Sequence, residues 1–312
     1  MRSRRRSDDE WCLEGPVDEV ILLLGHGSRD PAGVAEFLDL AAAVRLASER
    51  PVEAGVLEFA GPAIPSIQSA IDRCVARGFT RILAVPALLL NAGHAQSDMP
   101  GEIARAQACY PKVELCLAEP LGIQRGLLEI LEERIGEETG YAVVRQDDLT
   151  AILLVGRGTT DAAANGDIYK IGRLLWERNR FALVECGFAG TAGPTVPEGI
   201  ARCVLLGARQ ILVVPYLINT GLLVQRIHTQ AAQARTAYPD VAIAVCRHLG
   251  VHPKIVRLLL ARASALANGD AAPADPPIGR TWRYPSHHHH QSGHGDHHHT
   301  DHASDQSMEP AR

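Results

Sequence analysis

Val20-Ile21-Leu22-Leu23-Leu24 runs directly into Gly25-His26-Gly27-Ser28. An unbroken apolar run closed by glycines, with no polar alternation, reads as a strand buried on both faces, as in a parallel sheet. Ser28, Asp30 and Pro31 then supply cap and helix-start residues for an amphipathic stretch from Gly33 to Ser48. The same alternation continues with a strand over Val52 to Leu57 and a helix over Pro65 to Ala76, closed by Gly78. Arg81 to Leu90 predicts a third strand, Asp98 to Cys109 a helix, Val113 to Leu117 a fourth strand and Leu121 to Ile135 a last helix. Strands alternating with helices at this spacing predict an α/β fold, a parallel sheet with helices on both faces.

The whole series then repeats. Glu58-Phe59-Ala60-Gly61 through Leu83-Ala84-Val85-Pro86 lies without gaps over Gly187-Phe188-Ala189-Gly190 through Leu212-Val213-Val214-Pro215. Gly27/Gly158 and Asp30/Asp161 pair upstream, and Gly93/Gly221 and Leu121-Gly122/Leu249-Gly250 pair downstream. A repeat of this length is a statement about architecture. The expected organisation is an extension over 1–18, a first repeat over 19–136, a polar linker over 137–148 and a second repeat over 149–267. The remaining segment, 268–312, is rich in Pro, Ala and His and lacks the apolar content to order itself. A chain of 312 residues gives each repeat enough material to bury a core of its own.

Composition narrows the function. With 46% hydrophobic and 21% charged residues and a net charge of −5, the chain reads as globular, without the basic stripe of a nucleic-acid binder. No apolar stretch is long enough to span a bilayer, and no signal-peptide core follows Arg2 to Arg6. The 7 cysteines form no C-x-x-C pair, which fits reduced thiols in a cytoplasm and speaks against a cysteine-held cluster.

The repeats differ where chemistry is expected. His26 faces Arg157, Glu58 faces Gly187 and His94 faces Leu222. His26 and Glu58 end the first two strands, and His94 follows the third after Asn91-Ala92-Gly93. All three therefore sit on the carboxyl rim of the sheet, where parallel sheets bind ligands. Imidazoles suit Co²⁺, Ni²⁺ or Zn²⁺, and an imidazole or carboxylate accepts protons near neutral pH. Each residue alone is equally well explained as a loop, cap or surface group. Joint placement, and joint loss from the second repeat, favours a site.

These motifs also carry a family resemblance. Gly25-His26-Gly27-Ser28-Arg29-Asp30-Pro31, Leu57-Glu58-Phe59-Ala60 with Pro65-Ser66-Ile67, Asn91-Ala92-Gly93-His94 and Asp98-Met99-Pro100 resemble the sirohydrochlorin chelatases of the CbiX/SirB type. The resemblance spans residues 19 to 265 and implies two tandem flavodoxin-like, chelatase-type domains with a cleft between them. It implies ATP-independent insertion of Co²⁺ or Fe²⁺ into the tetrapyrrole sirohydrochlorin, with the metal as substrate and no prosthetic group. By position, His26 and His94 match the family's metal-binding histidines and Glu58 its active-site carboxylate. Arg29 and Arg157 are candidates for the carboxylates of sirohydrochlorin; an ordinary solvated or ion-paired arginine accounts for each as well. Some long members carry a C-terminal cysteine motif for an iron–sulfur cluster, and nothing here could serve as one.

His287, His288, His289, His290, His294, His297, His298, His299 and His302 form a tract interrupted by Gln, Ser, Gly and Asp and followed by Ala303 to Arg312. The interruptions distinguish it from a purification tag. Such flexible imidazoles bind divalent metals in shifting subsets and point to metal buffering or delivery, cobalt before iron. Two other readings compete: a cobalt or nickel store without chelatase activity, and a phosphoryl-transfer or hydrolase enzyme using Gly25-His26-Gly27-Ser28-Arg29 as a phosphate loop. The second leaves Glu58 and His94 idle and lacks a P-loop lysine.

Overall fold

The computed structural model describes residues 19–93, 97–140, 149–179 and 181–270. The first repeat folds as β1 (Glu19–Gly25), α1 (Pro31–Ala47), β2 (Val52–Val56), α2 (Ile67–Ala76), β3 (Arg81–Pro86), α3 (Asp98–Cys109), β4 (Glu114–Leu117) and α4 (Arg125–Thr139). The second gives β5 (Thr150–Gly156), α5 (Ala162–Asn179), β6 (Leu183–Phe188), α6 (Val196–Leu205), β7 (Gln210–Pro215), α7 (Leu222–Ala237), β8 (Ala242–Val245) and α8 (Pro253–Asn268). Each repeat builds a four-stranded parallel sheet, ordered β2-β1-β3-β4 and β6-β5-β7-β8. Two elements depart from the sequence reading. The third strand stops at Pro86 instead of Leu90, because proline brings no amide to the ladder. Glu137 to Thr139, assigned to the linker, complete α4, which stops at Gly140 with φ 63°.

Strand alternation sorts side chains into separate cores. Val20, Leu22 and Leu24 face α2 and α3, packing with Ile71, Cys74, Met99 and Ile103. Ala151, Leu153 and Val155 do the same for α6 and α7. The opposite faces, Ile21 and Leu23 of β1 and Ile152 and Leu154 of β5, belong to one continuous core that joins the halves. Each repeat thus buries a core of its own on one sheet face and shares a second core on the other. The reason is an exchange of terminal helices. α4 packs against β7, α5 and α8, while α8 packs against β3 and α1.

Polar contacts fix this exchange with two-fold regularity. Buried Arg134 on α4 donates to the carbonyls of His248 (3.0 Å) and Leu249 (2.6 Å). Its repeat partner Arg262 on α8 donates to the carbonyl of Leu121 at 2.8 Å. Leu121 and Leu249 are themselves repeat partners, so each exchanged helix grips the same loop of the opposite half. Arg81 on β3 donates to the last carbonyls of α8, Leu266 (3.1 Å) and Ala267 (2.9 Å), while its guanidinium also holds buried Glu19 at 2.7 Å. The second repeat replaces this ion pair by a neutral bond between Thr150 and Gln210, 3.0 Å.

Among the described cysteines all are unpaired, and Cys74, Cys186, Cys203 and Cys246 are buried. Burial pushes the Cys74 thiol up to about 11 and the other three to about 12, as expected for packing residues and not for metal ligands. No helix among the described residues is long and apolar enough to cross a membrane.

Candidate active site

The carboxyl ends of both sheets face a shared cavity of about 1090 Å³. Its lining takes His26, Ser28 and Arg29 from the β1–α1 loop and Phe59 and Ile64 from the β2–α2 loop. From the second half come Arg157 and Thr159, and Tyr216 through Val224 with Arg226 along the β7–α7 connection. One edge is closed by direct contacts between halves. Glu36 accepts from the Thr220 amide and from His248 Nε2 (2.8 Å), and Asp30 accepts from Gln225 Nε2 (2.8 Å). Burial raises the Glu36 pKa, but the bonds from His248 and Thr220 outweigh it and hold the carboxyl below its ordinary value.

His26 reaches the cavity because β1 ends under it and the chain turns at once. The Leu57 amide donates to Gly25 O (3.0 Å) and the Glu58 amide to His26 O (2.9 Å), so strand pairing continues one step into the loops. Gly27, at φ 96°, lies so close to Glu58 that a Cβ would stand 1.9 Å from its carbonyl oxygen. Only glycine fits there. Asp30 then caps α1, accepting from the Ala32 amide at 3.0 Å, and Pro31 opens the helix as expected.

Glu58 stands beside His26 but opens the other way. Glu58 is absent from the lining of the large cavity and faces α3 instead. It lines an adjoining pocket of about 330 Å³ with Asp98, Glu102 and Arg105. Ser97 and Asp98 line both cavities and so connect them. His94 lies outside the described residues, as do the tail histidines His287, His288, His289, His290, His294, His297, His298, His299 and His302. Among the described residues no group of three or more His, Cys, Asp or Glu side chains is placed to hold a metal ion.

Cationic groups face the same space. Arg157 Nη2 lies 3.2 Å from His26 Nε2, so the arginine at the His26 position of the second repeat reaches across to His26 itself. Arg29 lies over the Phe59 ring at 4.6 Å from its centroid. Phe59 is 44% exposed and held at φ 54°, whereas Phe188, aligned with it in the sequence, is buried at 2% in β6, where it takes the place of Val56. A strained backbone carrying an exposed ring at a cavity mouth is a feature of ligand sites. Tyr216 Oη and Asn219 Oδ1, on the cavity wall, are buried and have no hydrogen-bond partner among the described residues. Burial pushes the Tyr216 hydroxyl pKa upward, so it remains a donor. Sequence reasoning missed both; the signal was Tyr216 standing after Pro215 where the first repeat has Ala87 after Pro86.

A family model described as CbiX matches residues 20–138 and, a second time, residues 151–266. The chain belongs to the CbiX family. Among its relatives, a sirohydrochlorin cobaltochelatase of Priestia megaterium is 35% identical over 259 residues, covering 83% of each chain. A sirohydrochlorin ferrochelatase of the same organism is 33% identical over 243 residues, 77% of this chain and 88% of that one. The crystal structure of the sirohydrochlorin chelatase SirB from Bacillus subtilis subspecies spizizenii, in complex with cobalt, superposes with a TM-score of 0.66. It is 27% identical and matches 80% of this chain and 96% of SirB. The CbiX match thus falls on both repeats, and His26, Glu58 and His94 all lie in the first matched segment.

Proposed function

We propose that the chain is a metal chelatase that inserts a divalent ion into sirohydrochlorin without ATP. The first repeat, 19–136, supplies the chemistry; the second, 149–267, closes over the macrocycle. The observation that carries this reading is the cavity itself. Its volume of about 1090 Å³ exceeds that of most small-molecule pockets, and a histidine, three arginines and an exposed aromatic ring line it. Sirohydrochlorin is a flat macrocycle with eight carboxylates, and guanidinium forks are the strong partners of carboxylates.

Insertion requires the metal to lose water and two pyrrole N–H groups to lose protons, so the balance is one M²⁺ taken up for two H⁺ released. His26 and His94 hold the ion by two imidazoles, loosely enough to give it up, unlike a closed cysteine cage. Glu58 takes protons on the α3 side, away from the incoming cation. Phe59 offers a stacking face and the Tyr216 hydroxyl a donor for a substrate carboxylate. Cobalt is the favoured ion, from the histidine tract and the cobaltochelatase relative; iron uses the same ligands. The reaction takes place in the cytoplasm with no nucleic acid or membrane partner.

Mixing the chain with sirohydrochlorin and Co²⁺ tests this directly. The tetrapyrrole absorption spectrum should shift to that of the metallated product well ahead of the protein-free rate. An unchanged rate refutes the reading and leaves a metal store. Removing residues after Pro285 should matter only when metal is scarce; equal rates at every metal level would deny the tract a delivery role.

A further inference from the structure

The geometry points to Arg157 as a guard on the metal-binding lone pair of His26, released when the anionic macrocycle arrives. The inference rests on the chelatase reading and adds an order of binding to it. A guanidinium donates hydrogen bonds and accepts none, so His26 Nε2, 3.2 Å from Arg157 Nη2, must present its lone pair to the arginine. Nδ1 lies 3.3 Å from the Gly27 carbonyl, which can only accept. One tautomer satisfies both contacts, with the proton on Nδ1. The free electron pair a divalent ion would use is therefore the one covered by a fixed positive charge.

A metal ion and the guanidinium cannot share that nitrogen. Two cations on one lone pair repel each other, and the imidazole has no second pair to offer there. Arg157 has a better partner available in the expected substrate, because a carboxylate takes two parallel N–H bonds from the guanidinium fork and brings opposite charge. The side chain is exposed and able to swing, while its loop is anchored. Thr159 and Asn165 bond each other reciprocally, at 3.0 Å and 2.7 Å, and Gly158 turns the chain at φ 78°. Exchange of Arg157 from His26 to a macrocycle carboxylate uncovers Nε2 only when the acceptor of the metal is in place. The tetrapyrrole thus binds first and the metal second, and idle enzyme resists loading with ions it cannot deliver.

The test is a four-way comparison in the full-length chain: wild type, Arg157→Ala, His26→Ala and the double variant, each titrated calorimetrically with Co²⁺ alone. The histidine tract contributes equally to all four and cancels. Without the guard, the His26-dependent site should bind Co²⁺ about tenfold more tightly, within the usual range for coupled sites. That gain should vanish in the double variant. In turnover, Arg157→Ala should lower KM for Co²⁺ and raise KM for sirohydrochlorin, opposite movements that a purely structural role would not produce. Unchanged Co²⁺ affinity in Arg157→Ala, or a gain that persists without His26, overturns the guard. A wild-type chain that loads Co²⁺ in this way yet never metallates sirohydrochlorin overturns the chelatase reading instead.

Discussion

The two halves of this chain share a sheet order, helix positions and even the arginine that anchors each exchanged helix, yet they diverge at the rim. Where the first half presents His26, Glu58 and an exposed Phe59, the second presents Arg157, and the residues aligned with Glu58 and Phe59, Gly187 and Phe188, lie inside β6. The strand order is kept, but β6 sits three residues out of the sequence register: Gly25 pairs with Val56, whereas Gly156 pairs with Phe188. A parallel sheet is specified by its buried runs and does not depend on what its loops carry. Duplication therefore left one rim free to lose imidazoles and gain a guanidinium while the strand order stayed fixed. Under the proposed function, the first half needs its partner as a complementary surface, not as a second copy of the site.

The comparison breaks most sharply at His26. His26→Ala should lower chelation by at least about a hundredfold with an unchanged circular dichroism spectrum, as should His94→Ala, while Leu222→Ala on the opposite rim leaves the rate within about twofold. Comparable losses at Leu222 would erase the division between halves. Glu58→Gln should cut kcat by about a hundredfold and leave KM for metal nearly unchanged, because it removes a proton acceptor and not a ligand. A raised metal KM with normal kcat would instead make Glu58 a ligand.

Stability should show where the halves remain alike. Arg134→Ala strands two carbonyls in the joint core and should cost about 3 kcal/mol in urea unfolding; Arg262→Ala, with one carbonyl, about 1–2 kcal/mol. Equal and negligible costs would mean that apolar packing alone holds the exchanged helices. The smallest effect is expected at Glu36, whose carboxyl is held below its ordinary value by His248 and the Thr220 amide against the cost of burial. Its contribution is present above the ordinary value of 4.5 and lost as pH falls through the lowered one. Glu36→Gln should melt about 2 °C below wild type near neutral pH, and the gap should close in acid. A gap that widens on acidification would reverse the assigned sign.

Much of this was legible in the residues. Continuous apolar runs gave the strands, Asp30-Pro31 gave the start of α1, and the repeat gave the doubled sheet, although β6 pairs three residues away from the ungapped register. The partner of each final helix was not legible. An amphipathic pattern over Leu121 to Ile135 states that one face is buried, but two repeats with the same pattern offer two equivalent sheets. Glu58 follows β2 on the same rim as His26, but that it lines the pocket beside α3 and not the large cavity depends on the loop after Val56, which no periodicity describes. Tyr216 and Asn219 escaped notice because a buried polar atom without a partner is a property of the packed wall and not of a motif.

The helix exchange has one more consequence. The stretch copied in the sequence and the body that folds are different objects. One body consists of β1 to β4 closed by α8, the other of β5 to β8 closed by α4. Cutting the chain between Gly140 and Leu149 would leave two interlocked fragments, each holding the other's missing wall, so the lineage boundary of this protein runs through the middle of both its folding units.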